Sequence, residues 1–286
     1  MLQRMQSVPL LPVFLDVREE GDVLGGEYYY LPQKFEARNI FPAQSYSVEE
    51  LNDSCDACYN ALVAEAGQLS SSKSFVDNLY FLLEKYTSFA LSAGYHTKQS
   101  VPLFDHLKTT AAIAACIYRY LEEIGFEYSV KSDAERFLLI QGDLSGLQRF
   151  IFSTHHSTAS RVGSSRRLRG RSLYLKLIMD SVAHTLLERL SLPLANLLWN
   201  TSGHLLILSP NTPMAREAVD STRREVQRWL LEEYDGELYL NLAYLPVSDE
   251  GLNLKKSKAT LQELISQEKI ADSKESLSTS SLRWVR

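Results

Sequence analysis

Cysteine is scarce in this chain. Three residues, Cys55, Cys58 and Cys116, are an odd number, which excludes the fully paired disulfide framework of small secreted domains. Long hydrophobic runs are missing too. None approaches the roughly 18–20 residues that a membrane helix needs, so no membrane partner is expected. The start, MLQRMQSVPLLPVFL, is too short and too broken by proline for a signal peptide. Nor is there an excess of one charge large enough to make the whole chain a partner for nucleic acid. Thirty basic and 35 acidic residues leave a net charge of −5, so any such contact must be local. The expected compartment is the cytoplasm. Cys55 and Cys58 form a lone C-x-x-C without a second pair or nearby histidines, so a four-ligand zinc site would lack half its ligands. Leu51, Cys55, Cys58 or Tyr59, and Leu62 recur at helical spacing, which reads as apolar cysteines on a helix face.

What is present is ordinary in bulk. The 286 residues are 45% hydrophobic and 23% charged, enough for two modest domains or one large one. The informative stretch runs from Phe137 to Leu177, FLLIQGDLSGLQRFIFSTHHSTASRVGSSRRLRGRSLYLKL. Its spacing predicts a buried strand over Phe137–Gln141, a Gly/Asp/Ser turn over Gly142–Gly146, and then a helix. A strand passing through Asp, Ser and Gly into a helix gathers N–H groups, a carboxylate and a hydroxyl at one sheet edge, where nucleotide phosphates are commonly held. Five arginines between Arg161 and Arg171 add positive charge. A tight turn followed by a solvated basic loop accounts for the same spacing, and both readings stand.

Residues 1–45 carry short β-like runs, PVFLDV and GGEYYYLPQKF, punctuated by glycine and proline. Three helical patterns follow, about Val48–Gln68, Ser74–Ala90 and Leu103–Ile124. In the third, Phe104, Leu107, Ala111, Ala114 or Ala115, Tyr118 and Leu121 form a stripe expected to face a helical core. From Arg136 the pattern changes. After the strand and the helix start at Ser145–Phe152 come a polar loop and a long helix over about Arg167–Leu190. Two short strands, Asn196–Trp199 and Leu205–Leu208, are joined by NTSGH, where Gly203 suits a hairpin turn. Pro213 sits at the start of a helix over Met214–Glu233, and a last strand spans Glu237–Leu245, before Pro246. The order β-α-β-β-α-β is the ferredoxin-like pattern. The expected fold class is therefore α+β: a ferredoxin-like palm over 131–250, preceded by a mostly helical domain over 1–130. Residues 251–286 hold one more helix, Leu254–Ile270, and a loose Ser-rich tail that ends in SLRWVR as an unfinished element.

GDLSGLQRFIF, RLRGRSLYL, SGHLLILSPNT and, upstream, VPLFDHLKTTAAIAA occur in this order over Val101–Thr212. Together they resemble the large polymerase-like subunit of type III (Csm-type) CRISPR effector complexes. The resemblance implies a longer protein: an HD nuclease domain, a first palm, a small zinc-bearing insert, a second palm with a GGDD hairpin, and a C-terminal helical domain. It also implies that the present chain is the end of the HD-like domain joined to the first palm. In that family the assembled complex binds crRNA and target RNA, makes cyclic oligoadenylates from ATP at GGDD, and often cuts single-stranded DNA with the HD domain.

Neither reaction's signature is in this sequence. None of its six histidines is followed by Asp, and Asp105-His106 is the reverse order. Asp105 is either a remnant of the metal set or the N-cap before LKTTAAIAA, and the cap is the simpler reading. The hairpin that corresponds to GGDD reads Thr201-Ser202-Gly203-His204, without a carboxylate. Two-metal nucleotidyl transfer needs closely placed carboxylates, which Asp143 alone does not supply. No catalytic and no metal-ligating residue is assigned; His155 and His156 have no partner ligands at recognisable spacing.

By resemblance the first palm faces the second and helps to bind ATP, with Mg²⁺ only when the partner palm is present. The candidate nucleotide-binding residues are Asp143, Ser145, Gly146, Gln148, Ser202, Gly203 and His204. Asp143 is an acceptor for a ribose hydroxyl, a holder of a water on Mg²⁺, or a helix N-cap. Gln148 fits an adenine contact or a capping box with Ser145 equally well. Arg167, Arg169 and Arg171 are candidate contacts to phosphates of ATP or RNA, or a solvated helix start. The implied partners are other type III subunits, a second palm in cis or in trans, and crRNA with target RNA through the complex. Two rival readings remain: a stand-alone palm-type cyclase or nucleotidyltransferase, and a pure interaction scaffold with a dead pocket.

Overall fold

The computed structural model describes residues 8–12, 28–71, 74–92, 100–126, 134–152, 164–254 and 257–267. Contacts divide the chain into two units, Met1–Ala111 and Ala112–Arg286, and the division falls within a helix.

The first unit is helical. α1 (Val48–Ala66) starts at a capping box in which Ser47 Oγ accepts from the Glu50 N–H while Glu50 accepts from the Ser47 N–H. α2 (Phe75–Thr87) is tied to α1 where Lys85 and the Tyr86 hydroxyl both donate to Glu65. Those two donors hold the Glu65 carboxyl below its usual range, Lys85 first. The β-like runs of the first 45 residues form isolated bridges among the described residues, Leu10 with Tyr30 and Tyr29 with Ala43; PVFLDV lies almost wholly outside those residues. Asp105 is not a cap. α3 begins at Leu103, so Asp105 sits inside its first turn.

α3 (Leu103–Ile124) corrects the expected stripe as well. Phe104 is buried, but Leu107 and Tyr118 are exposed, and in the second unit the buried positions of this helix are Ala112 and Cys116. Small side chains carry little weight in a hydrophobic pattern, yet they allow a helix to lie close to a sheet.

That sheet has four antiparallel strands: β1 (Phe137–Ser145), β2 (Leu197–Asn200), β3 (His204–Pro210) and β4 (Tyr239–Val247), in the order β2-β3-β1-β4. This is the ferredoxin-like arrangement expected from the element order. Between the strands run α4 (Leu147–Phe152), α5 (Ser164–Arg189) and α6 (Pro213–Tyr234). α6 starts as its sequence requires, with Pro213 at its first position and Thr212 Oγ1 accepting from the Ala215 N–H.

Strand phase gives the sheet two apolar faces. Leu138, Ile140 and Leu144 meet Leu175, Met179, Val182 and Leu186 of α5 and Val219 and Leu230 of α6. Phe137 and Leu139, one residue out of phase, meet Leu206, Leu208, Ala112, Cys116 and Leu261. Asn196, fully buried, joins this second layer by donating to the carbonyls of Leu208 and Ala112.

β1 and β4 both run past the end that their spacing suggested. β1 continues through Gly142 because that glycine makes room rather than a turn: a Cβ there would lie 2.8 Å from Leu205 Cγ and 3.2 Å from Leu242 Cδ2. β4 continues through Pro246 because it is an edge strand. Gln227 and Arg223 of α6 donate to the outward carbonyls of Leu240 and Leu242. Pro246 shares their phase, where a missing N–H costs no ladder bond.

Candidate functional site

Asp143 and Ser145 lie at the end of the central strand, on the face opposite α5 and α6. Asp143 pairs with His204 on β3 and with Asn241 on β4. Its side chain is 7% exposed, and its Oδ2 is 3.7 Å from Nδ1 of His204, whose side chain is 59% exposed. Asn241 is buried and donates to the Asp143 backbone oxygen at 3.1 Å and to Ser145 Oγ at 3.0 Å. The site is therefore built on paired strands. The expected turn over Gly142–Gly146 followed by a capped helix start is corrected: β1 runs to Ser145, and α4 starts only at Leu147. Asp143 is a strand residue, not an N-cap, and Ser145 does not open a helix.

Gly146 alone makes the bend. Its φ is +89°, and a Cβ there would come within 1.9 Å of the Glu237 carbonyl oxygen, so only glycine fits. Gln148 projects from α4 as an exposed residue. The hairpin expected at NTSGH is present. Thr201 N–H donates to the His204 carbonyl, Thr201 Oγ1 accepts from the His204 N–H, and Ser202 is exposed at the tip. Gly203 fastens this hairpin to the centre, its carbonyl accepting from the Leu144 N–H at 2.8 Å. A Cβ on Gly203 would stand 2.6 Å from Leu147 Cδ1, so a larger residue would make the Leu147 side chain shift.

The arginines stand apart from this cluster. They belong to α5, on the sheet's other face, and lie inside the helix rather than ahead of it. Arg167 and Arg169 are exposed, and Arg169 Nε reaches back to the Ser165 carbonyl at 3.4 Å. Arg171 is half-buried and structurally engaged, donating to the carbonyls of Phe150 and Ile151 at 3.0 and 3.1 Å, with its guanidinium over the Phe150 ring. It closes the C-terminal end of α4 through one terminal nitrogen of its guanidinium. Arg161, His155 and His156 lie outside the described residues.

Chemically, this sheet end offers one shielded carboxylate, one imidazole, a hydroxyl and a tight hairpin. Among the described residues, no three His, Cys, Asp or Glu side chains come together as metal ligands would. Hollows open elsewhere on the second unit. One of 240 Å³ lies beside Arg119, Arg189, Ser191 and Met214, and one of 400 Å³ beside Asp220, Arg223, Tyr244 and Leu264. Asp143 lines neither. The arginines of the first are already engaged, Arg119 with Glu122 and the Ser191 carbonyl, Arg189 with Thr222 and Glu225.

Sequence reasoning missed Asn241. Its signal is a lone Asn in YLNLAYL, flanked by leucines in a strand whose two faces are both buried. Among the described residues, no helix is long and apolar enough to cross a membrane.

Comparison with known proteins places this arrangement. The family model described as Csm1 subunit domain B matches residues 136–282. The curated CRISPR system single-strand-specific deoxyribonuclease Cas10/Csm1 (subtype III-A) of Mycobacterium tuberculosis is 34% identical over 225 residues, 75% of this chain and 27% of that relative. A crystal structure of a Csm1-Csm4 cassette in complex with pppApApA superposes with a TM-score of 0.70 at 30% identity, over 92% of this chain and 35% of that one. The cassette in complex with AMPPNP gives a TM-score of 0.69 at 30% identity, over 92% of this chain and 34% of that one. The chain thus spans about a third or less of the length of these relatives. With its ferredoxin-like unit matched from strand β1 onward, the chain belongs to the Csm1 family, the large polymerase-like subunits of type III CRISPR effector complexes.

Proposed function

We propose that this chain supplies the non-catalytic palm of a type III effector: a half-site that helps to bind ATP for cyclic oligoadenylate synthesis and contacts neighbouring subunits. In this reading residues 1–130 are the C-terminal part of an HD-type domain, 131–250 the first palm, and 251–286 a helix and tail. The observation that carries it is the setting of the Asp143 carboxylate. Asp143 sits at the head of the sheet, 7% exposed, facing an imidazole instead of a second acid. Joining two nucleotides needs two cations held by closely spaced carboxylates, one to activate the attacking oxygen and one to stabilise the leaving group. This sheet end offers polar contacts for a nucleotide without the means to react it.

The division of labour follows from those residues. The exposed Ser202 at the hairpin tip, the buried Gly203 behind it, His204, Ser145 and the bend at Gly146 provide hydrogen-bonding groups and close backbone approach. The second palm, in cis or in trans, provides the carboxylates for Mg²⁺ and the other wall of the pocket. A similar solved cassette holds AMPPNP, an ATP analogue, which supports ATP as the ligand class. The same cassettes pair Csm1 with Csm4, which supports a Csm4-type subunit as a partner. Arg167 and Arg169 are candidate phosphate contacts to RNA bound by the complex, and the assembly works in the cytoplasm.

The test is a titration of labelled ATP with Mg²⁺ against the wild type and Asp143→Ala, each with and without a second-palm subunit. The reading expects binding that strengthens with the partner and weakens in Asp143→Ala. Absence of binding in every arm leaves a scaffold with a dead pocket.

A further inference from the structure

The geometry around Asn241 fixes the direction of a hydrogen bond that Ser145 makes. The Asn241 amide nitrogen lies 3.1 Å from the Asp143 backbone oxygen and 3.0 Å from Ser145 Oγ. A backbone carbonyl oxygen only accepts, so the amide nitrogen of Asn241, and not its oxygen, must face β1. An NH₂ group carries two hydrogens, and these two acceptors use both. Ser145 Oγ therefore receives a hydrogen bond from Asn241, and its own hydrogen must be donated elsewhere. Asn241 is 1% exposed, so its side chain has no room to swing away. Ser145 is only half-buried, on the face that also carries Asp143 and His204.

We propose that Asn241 is a positioning residue: held inside the sheet, it orients the Ser145 hydroxyl as a hydrogen-bond donor toward an acceptor atom of a bound nucleotide. This rests on the nucleotide-binding reading above. It narrows the chemistry of the contact. The atom opposite Ser145 is an acceptor, a ring nitrogen or an oxygen of ribose or phosphate. Asn241 acts without touching the nucleotide, and everything it contributes passes through one hydroxyl. Exchanging its amide for a carboxylate would reverse the arrangement. The Asp carboxylate oxygen would accept from Ser145 and stand against the Asp143 carbonyl, turning the hydroxyl inward.

The experiment is a double-mutant cycle on the full chain, read as the affinity for labelled ATP with Mg²⁺ in the presence of a second-palm subunit. Ser145→Ala and Asn241→Leu are each expected to weaken binding roughly tenfold, the worth of one hydrogen bond. The double variant is expected to bind no more weakly than Ser145→Ala alone, because the second change removes an orientation that no longer has an object. Asn241→Ser, a smaller change, enters the same cycle if the leucine variant does not fold. Ser145→Thr keeps a hydroxyl and is expected to keep the dependence on Asn241. Losses that add, or an Asn241 variant that folds and binds like the wild type, overturn the proposal while leaving the nucleotide reading intact. Failure of the wild type to bind ATP overturns both.

Discussion

His204 Nδ1 stands 3.7 Å from Asp143 Oδ2, across directly paired positions of β3 and β1. At this pairing an imidazole, not a carboxylate, stands opposite Asp143. His204→Asp places two like charges opposite each other on adjacent strands, which costs up to about 1 kcal/mol. The variant is expected to melt at a lower temperature than the wild type in metal-free buffer. Adding Mg²⁺ is expected to recover part of that loss in the variant alone, because a divalent cation offsets the repulsion of a close acidic pair. Thermal denaturation with and without Mg²⁺ checks both parts.

Gly146 and Gly170 separate two uses of glycine. At Gly146 a Cβ would meet the Glu237 carbonyl at 1.9 Å with φ at +89°. Gly146→Ala is expected to cost about 1–3 kcal/mol or more, as strained backbone positions do. At Gly170, inside α5, a Cβ meets nothing within 4 Å. Gly170→Ala is expected to stabilise by about 0.5–1 kcal/mol through helix propensity. Urea denaturation of the two variants should move the midpoint in opposite directions.

Arg171 and Arg167 should also part company. Arg171 bonds two carbonyls of α4, so Arg171→Ala leaves them without their cation and is expected to cost about 1–3 kcal/mol. Arg167 is an exposed residue on α5, and Arg167→Ala is expected to stay within about 0.5 kcal/mol of the wild type. Matched melting curves decide this.

The elements whose spacing carried the most signal match the structure closely. α3 runs over Leu103–Ile124 as its period predicts, and the Thr212-Pro213 start of α6 has the cap its residues promise. The order of strands and helices was enough for the ferredoxin-like sheet. The errors have physical causes. Gly142 looks like a strand breaker in sequence, whereas in space it accommodates Leu205 and Leu242, two residues remote along the chain. Pro246 looks like a strand end until β4 is known to be an edge. The solvated helix start does not describe Arg171, which is half-buried because α4 folds back and presents its carbonyls. At the candidate site, Asp143, Ser145, Gly203 and His204 were legible as neighbours and do share one sheet end. Asn241 was not, because its importance lies in a register pairing across 98 residues.

Cys116 gives a prediction that depends on pH. Burial pushes its thiol up to about 12, with the Asn196 side-chain contact opposing the shift in part. An acid whose pKa is raised by folding holds its proton longer in the native state than in the unfolded one. Its contribution is fully present below the unfolded value of about 8.5 and is lost as pH rises toward the folded value. Stability is therefore expected to fall with rising pH above about 9. Tyr80, also pushed up to about 12 by burial, acts with the same sign. At pH 8 the native protein should be alkylated by iodoacetamide at the half-buried Cys55 and Cys58 and spared at Cys116. Peptide mass spectrometry reads the pattern.

Incubation of the purified chain with labelled ATP and Mg²⁺, first alone and then with a second-palm subunit, tests the central claim most directly. With His204 opposite Asp143 and no cluster of three metal-ligating side chains among the described residues, the chain alone is expected to form no linked adenylates, and any product in the mixed arm is expected to fall in Asp143→Ala. Adenylates joined by the chain on its own would contradict the account.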